Sequence, residues 1–429
     1  MSRRLKFTVV VSSSLLTVML VIGALMGKSK EGEGAYRPLS VYTEVLARIK
    51  SEYVEEPDMN KVTRGALHGL VEWLDPLSSY LTAEQYAEFQ KARANPDHGS
   101  GLATGLVVHK RYGYSYVLSV LPGSPADQEG IRAGDLLEAI EELSTRALPP
   151  AAIHTMLSGK PGTSAKILIR PAQQTDEPRE IILRRAAVKL PDVTSKLLED
   201  NIGYIDADIL DADRVKQIAD AVRDLDSQGA ARFILDLRGN ALGDHAEGVG
   251  LADLFLRSGQ IAQLKGQQYP EKTFEASSAG TLTDKPLVII TDRSTAGAAE
   301  VAASAILDNR RGEVVGDRTY GLAAVQETIP MDDGAALILS VAKFYRTSGK
   351  ALQDGGIEPS EAVAASDVRR YRDQLNPELN APESPDAPPP AVTLDDDPYL
   401  KKAIEVIKKK SAAAAAGNFG AGRNLAFAA

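Results

Sequence analysis

Residues 292–326 read DRSTAGAAEVAASAILDNRRGEVVGDRTYGLAAVQ. They follow PLVIITD (residues 286–292), an apolar run with the length and β-branching of a buried strand. Asp292 to Gly297 offers short polar and small side chains, which suit a tight exit turn. The Ala-, Val-, Ile- and Leu-rich residues after this turn predict a helix, followed by a loop and a strand. A strand–turn–helix unit of this kind exposes the residue at its sharpest point. Here that residue is Gly297, flanked by alanines.

The same alternation extends upstream. Residues 202–207 (IGYIDA) and 231–239 (ARFILDLRG) read as strands, and residues 212–228 and 247–258 as helices. Repeated βαβ units imply a mostly parallel sheet covered by helices. Sites in such sheets form beyond the carboxyl ends of strands. Two loops qualify, residues 238–244 (RGNALGD) and 291–300 (TDRSTAGAAE).

The preceding segments have a different texture. From residue 38 to about 94 the pattern is helical, with Val41, Val45, Leu46 and Ile49 on one stripe. A second helix through Trp73 and Leu74 is stopped by Asp75-Pro76, and Thr82 is placed to cap a third. Residues 101–185 alternate strands with tight turns. Turn chemistry at residues 122–125 precedes one helical turn (126–129), a strand (136–140), a helix (151–157) and a closing strand (166–170). This stretch resembles a PDZ domain, including GSPADQEGIRAGD (residues 123–135). The resemblance implies capture of peptide C-termini by strand addition, with the carboxylate loop at Thr104, Gly105, Leu106 and Val107.

Composition excludes other chemistry. A net charge of −9 without a basic stripe argues against a nucleic-acid partner. The chain has no cysteine, so thiolate nucleophiles, disulfides and Cys-based metal sites are excluded. His68, His98, His109, His154 and His245 show no metal-ligand spacing, and no metal or other cofactor is expected. At the N-terminus Arg3, Arg4 and Lys6 precede twenty uncharged residues, 7–26. As a helix these span about 30 Å, enough for a bilayer core. The basic flank predicts a single-pass signal anchor in the inner membrane, with the bulk of the chain in the periplasm. The alternative is a cleaved signal peptide and a secreted periplasmic form. The expected organisation is an anchor (1–30) and a short Gly-rich tether (27–36), then helices (36–97), a PDZ domain (98–187) and an α/β core (188–370). A Pro-rich linker (371–396) and a short amphipathic helix with an Ala-rich tail (397–429) complete it.

Five stretches occur in one order: LDPLSSYLTAEQY (74–86), GSPADQEGIRAGD, FILDLRGN (233–240), AAEVAASAILDNRRGEVVGDRTYG (298–321) and DGGIEP (354–359). Together they resemble the carboxyl-terminal processing, or tail-specific, serine proteases over about residues 38–365. That resemblance implies a multidomain α/β protein with a ClpP/crotonase-like core. It also implies a Ser–Lys dyad, in which a neutral lysine takes the proton of the attacking serine, a glutamine orients the lysine and backbone N–H groups hold the oxyanion. Carried onto this chain, the serine position is Gly297, the lysine position Leu322, 25 residues later, and the glutamine Gln326. The Asn-Pro-Gly-Gly loop reads Asn240-Ala241-Leu242-Gly243, and the oxyanion positions are Leu242, Gly243 and Ala298. Glycine carries no nucleophile and leucine accepts no proton. The expected function is therefore a membrane-anchored pseudoprotease that binds protein C-termini, with an active homologous protease as a further partner. The alternative is an active serine endopeptidase with a relocated nucleophile, Ser294, and His245 as base. Otherwise Ser294 caps the helix and His245 is exposed.

Overall fold

The computed structural model describes residues 31–94, 102–172, 177–353, 355–375 and 396–421. The expected signal anchor, most of the Pro-rich linker (376–395) and the last tail residues (422–429) lie outside the described residues. Among the described residues no helix is long and apolar enough to cross a membrane.

The chain divides into two units, residues 1–67 and 68–429. The first carries α1 (Glu31–Glu52) and the start of α2 (Met59–Glu72). Helix α1 begins inside the expected tether. Val41 and Val45 of its apolar stripe are 55% and 49% exposed, so the stripe forms a helix face without being covered. Helix α2 stops at Glu72, short of Trp73 and Leu74, because the Asp75 carboxylate accepts the N–H groups of Leu77 and Ser78, both at 2.8 Å, and turns the chain. An unforeseen strand follows, β1 (Ser79–Leu81). Helix α3 (Ala83–Ala94) is then capped reciprocally by Thr82 and Gln85, at 3.0 and 3.3 Å.

The next domain is built on β2 (Leu106–Arg111), β3 (Tyr114–Val120), α4 (Pro125–Gln128), β4 (Leu136–Ile140), β5 (Leu143–Ser144), α5 (Pro150–Leu157), β6 (Ser164–Arg170) and β7 (Arg179–Arg184). The sheet order is β2-β3-β4-β6-β7, with β5 paired to β4. Strand β2 is an edge with α5 beside it. Leu106, Val108, Val117, Ile131, Leu137, Ile153 and Ile167 fill its core.

The third region begins with β8 (Thr194–Leu198), β9 (Ile202–Asp206), α6 (Ala212–Ser227), β10 (Arg232–Asp236) and α7 (His245–Asp253). Strands β11 (Gln260–Lys265), β12 (Lys272–Glu275) and β13 (Leu287–Thr291) lead to α8 (Ala298–Asp308) and β14 (Glu313–Gly316). The hairpin β15 (Ala324–Pro330) and β16 (Ala336–Tyr345), then β17 (Glu361–Ala362), α9 (Ala365–Leu375) and α10 (Pro398–Ala421), complete it. The central sheet runs β17-β14-β13-β10-β9-β8, parallel except for β8. A second, antiparallel sheet runs β1-β16-β11-β12, with β15 on β16.

Strand alternation sends Phe233, Leu235 and Ile289 toward α6, α7 and α8, and Ile234, Val288, Ile290 and Val315 to the opposite face. That opposite face is covered by Tyr399, Leu400, Ala403, Val406 and Ile407 of α10. The C-terminal helix, expected as an appendage, is thus a layer of the core. Three further boundaries move. Helix α9 runs to Leu375, past the expected linker start at 371. Helix α7 starts at His245 rather than at residue 247, because Asp244 caps it by accepting the Ala246 N–H at 3.1 Å, and it ends at Asp253 rather than at 258.

Candidate functional site

The exits of β10 and β13 are laced together by one half-buried carboxylate. Asp292 Oδ1 accepts N–H groups from Gly239 (3.1 Å), Ser294 (2.9 Å) and Thr295 (2.9 Å). The Thr295 hydroxyl donates to Leu237 O at 2.8 Å, and the Ala296 N–H donates to Asn240 O at 2.8 Å. Burial raises the Asp292 carboxyl, and these N–H groups with the Arg238 charge oppose the rise.

Gly297 sits at the point of the turn, at φ 61° and ψ −117°, as the N-cap of α8. A Cβ built there would meet only Leu322 O, at 3.6 Å, an ordinary contact. Conformation, not crowding, is what favours glycine at this point. Three residues on, the fully buried Glu300 carboxylate accepts the N–H groups of Gly297 (3.0 Å), Gly321 (2.7 Å) and Leu322 (2.7 Å) and the Thr319 hydroxyl. One side chain therefore staples position 297 to position 322. Burial raises its carboxyl, and the four donors pull the other way.

The remaining predicted residues divide into those brought to this point and those directed elsewhere. Gly243 (φ 134°) passes so close to Leu210 that a Cβ would lie 1.8 Å from its carbonyl oxygen, so the loop stays tight despite Leu242 beside it. Ala298 opens α8 and is buried. Leu322 is half-buried among apolar groups. The Gln326 amide donates to Leu77 O at 2.7 Å and ties β15 to the segment after α2, away from Gly297. Ser294 does not cap α8, since Gly297 occupies that position. Nor is His245 an exposed loop residue. It opens α7 with its ring stacked on Phe344 (centroids 4.6 Å apart) and donating a ring N–H to the Leu322 carbonyl, and burial lowers its pKa. Its Nε2 is buried without a partner, and no hydrogen bond joins it to Ser294 among the described residues. The relocated pair is not assembled in this conformation.

In the small β domain, Thr104, Gly105, Leu106 and Val107 are all buried. The Gly105 N–H is already donated to Leu102 O at 2.8 Å, so it is not open to a carboxylate. Strand β2 has the edge position that strand addition needs, but the Val107 side of it faces the core. Val107 and Leu118 pack with Ala241, Leu242, Ala296, Tyr320 and Leu322. Polar contacts fasten the same face. The Ser119 hydroxyl donates to Gly239 O at 2.7 Å, and the Arg111 guanidinium lies 5.2 Å over the Tyr320 ring. His109 lies 5.5 Å from that ring and 6.2 Å from His154, and burial with the His154 charge lowers its pKa to about 3.

At the same carboxyl end of β10, Arg238 is held by Asp236 (2.6 Å) and by Asp397 (2.7 Å), the residue that caps α10. The Tyr204 hydroxyl donates to Asp236 at 2.9 Å. Asp206 is pushed up to about 7 by burial and by the Asp236 and Asp208 charges. Among the described residues no cluster of His, Asp and Glu is arranged to hold a metal ion.

Residues 201–363 match Peptidase family S41, and residues 116–171 match a PDZ domain. A carboxyl-terminal-processing protease of Synechocystis sp. (strain ATCC 27184 / PCC 6803 / Kazusa) is 30% identical over 321 residues, covering 73% of this chain and 74% of that protein. The chain belongs to the carboxyl-terminal processing protease family. Carboxy-terminal processing protease CtpA of Bacillus subtilis (strain 168) is 28% identical over 378 residues, covering 86% of this chain and 79% of that protein. The solved photosystem II D1 C-terminal processing protease has the same fold, with a TM-score of 0.61 at 22% identity, over 75% of this chain and 92% of that one. Family membership makes the Glu300 staple more telling than any single motif. It holds Gly297 and Leu322, the residues at the expected nucleophile and base positions, in fixed register. Sequence reasoning missed it, although a glutamate three residues after a helix start is a capping-box spacing.

Proposed function

We propose that this chain is a pseudoprotease, anchored in the inner membrane with its bulk in the periplasm, that binds protein C-termini through its PDZ domain. The observation that carries the reading is Gly297 itself: a turn with the geometry of a nucleophile elbow and no side chain to attack with. Leu322 supports it, because a half-buried alkyl group cannot take a proton. The nucleophile and base of such a dyad act as a unit, so losing both leaves little rate. An active homologous protease is the natural partner, with this chain as its adaptor or regulator.

The test is an unfolded substrate with an apolar C-terminus, incubated with the full chain in detergent. No cleavage is expected. Steady cleavage abolished by Ser294→Ala would defeat the reading in favour of a relocated nucleophile. A peptide with a free apolar C-terminus should bind severalfold more tightly than its amide, and equal affinities would remove the carboxylate-capture step. Fractionation completes the test: release as a shortened soluble chain would replace the anchor by a cleaved signal peptide.

A further inference from the structure

We infer that Leu242 and Leu322, the residues standing where the family pattern has a glycine and the catalytic lysine, lock the PDZ domain over the cleft. The inference rests on the proposed loss of the dyad and concerns what replaced it. Strand β2 is the edge of its sheet, yet it is buried on both faces. Leu106 and Val108 face the PDZ interior. Val107, with Leu118 of β3, faces a patch formed by Ala241, Leu242, Ala296, Tyr320 and Leu322. That patch draws on three site loops at once: residues 239–243, 294–297 and 319–322.

Chemistry at the two positions sets the direction of the effect. A lysine at 322 would carry an ammonium into an apolar contact whenever the PDZ domain closed, and burying it unpaired opposes closure. A glycine at 242 would present no side chain. Leucine at each position instead gains by being covered, on the order of tenfold in the closed-to-open ratio for each half-buried side chain. The Ser119–Gly239 hydrogen bond and the Arg111–Tyr320 contact fix the register of the seat. The emptied cleft has thus become an intramolecular docking surface for the domain beside it.

Hydrogen exchange on the full chain tests this. In Leu242→Gly/Leu322→Lys, exchange in segments 106–120, 239–243 and 319–322 should accelerate by at least tenfold, while the central strands 232–236 and 287–291 keep their wild-type protection. Unchanged exchange in the first three segments would overturn the inference. If the central strands also lose protection, the double variant has unfolded. The milder pair Leu242→Ala/Leu322→Ala, which adds neither charge nor flexible backbone, then decides by the same criterion. A second readout exploits the cysteine-free chain. Ser119 Oγ lies 3.9 Å from where a Cβ on Gly239 would sit, so Ser119→Cys/Gly239→Cys forms a single thiol pair across the seam. Its oxidation should slow by about tenfold or more in the unlocked background, and an equal rate would overturn the lock. Cleavage by the wild-type chain would refute the pseudoprotease reading and leave both measurements standing.

Discussion

Placing a side chain at Gly297 should cost stability. At φ 61° and ψ −117°, Gly297 occupies a region where an L-residue is strained by about 1–3 kcal/mol. Substitution also stiffens the unfolded chain, which returns about 0.4–1 kcal/mol. Space adds nothing, because the new Cβ would sit 3.6 Å from Leu322 O. The net expectation for Gly297→Ser and for Gly297→Ala is a loss of about 1–2 kcal/mol. For a domain of this size that lowers the melting temperature by roughly 2–8 °C. Scanning calorimetry on the full chain at pH 7 measures it. The two variants should fall together, since the cost lies in the backbone. A serine that matched wild type while alanine fell would show that the hydroxyl caps α8, and wild-type stability in both would refute the strain argument. A serine at this turn would carry a backbone strain that glycine does not.

Other perturbations follow from the same contacts. Glu300→Gln turns one acceptor into a donor facing N–H groups and should cost about 2–4 kcal/mol in urea unfolding; no loss would mean the staple carries no weight. Asp206 is raised in the folded state, so it destabilises increasingly as pH climbs from the ordinary carboxylate range through about 7. Asp206→Asn should therefore gain stability over wild type as pH rises from about 4 to about 8, and an advantage that did not depend on pH would contradict the assignment. Asp397→Ala removes both the cap of α10 and one partner of the half-buried Arg238, with an expected cost of about 2–4 kcal/mol and faster proteolysis after residue 375. Wild-type resistance to proteolysis would show that α10 is held by its apolar face alone.

The elements that were legible in the sequence are those whose signals are local. Residues 231–239 and 286–292 are apolar runs bounded by turns, and both fold as central strands. Thr82 and Gln85 cap a helix at the spacing the sequence displays. Strand β1 was not legible, because Ser79–Leu81 is a strand only by virtue of pairing with β16, more than 250 residues away. The role of α10 was hidden for the same reason: its apolar positions read as amphipathic, but nothing in residues 397–410 names the sheet face they cover. At the site, motif order singled out Gly297 and Leu322, and Glu300 brings their backbones together. His245 could not, because its placement depends on Phe344 across the fold. The burial of Val107 depends on how two domains meet, which no local pattern encodes.

The position of α10 has a consequence for how the protein is made. The apolar face formed by Ile234, Val288, Ile290 and Val315 is covered in part by Val363 and Val368, and the rest waits for Tyr399 to Ile407. At about 5–20 residues per second, the 92 residues between Val315 and Ile407 take roughly 5–18 seconds to synthesise. Throughout that interval a nearly finished sheet offers one greasy side to its surroundings. A nascent chain in this state is a client for a holding chaperone, and a premature stop anywhere before residue 398 would leave that exposure permanent.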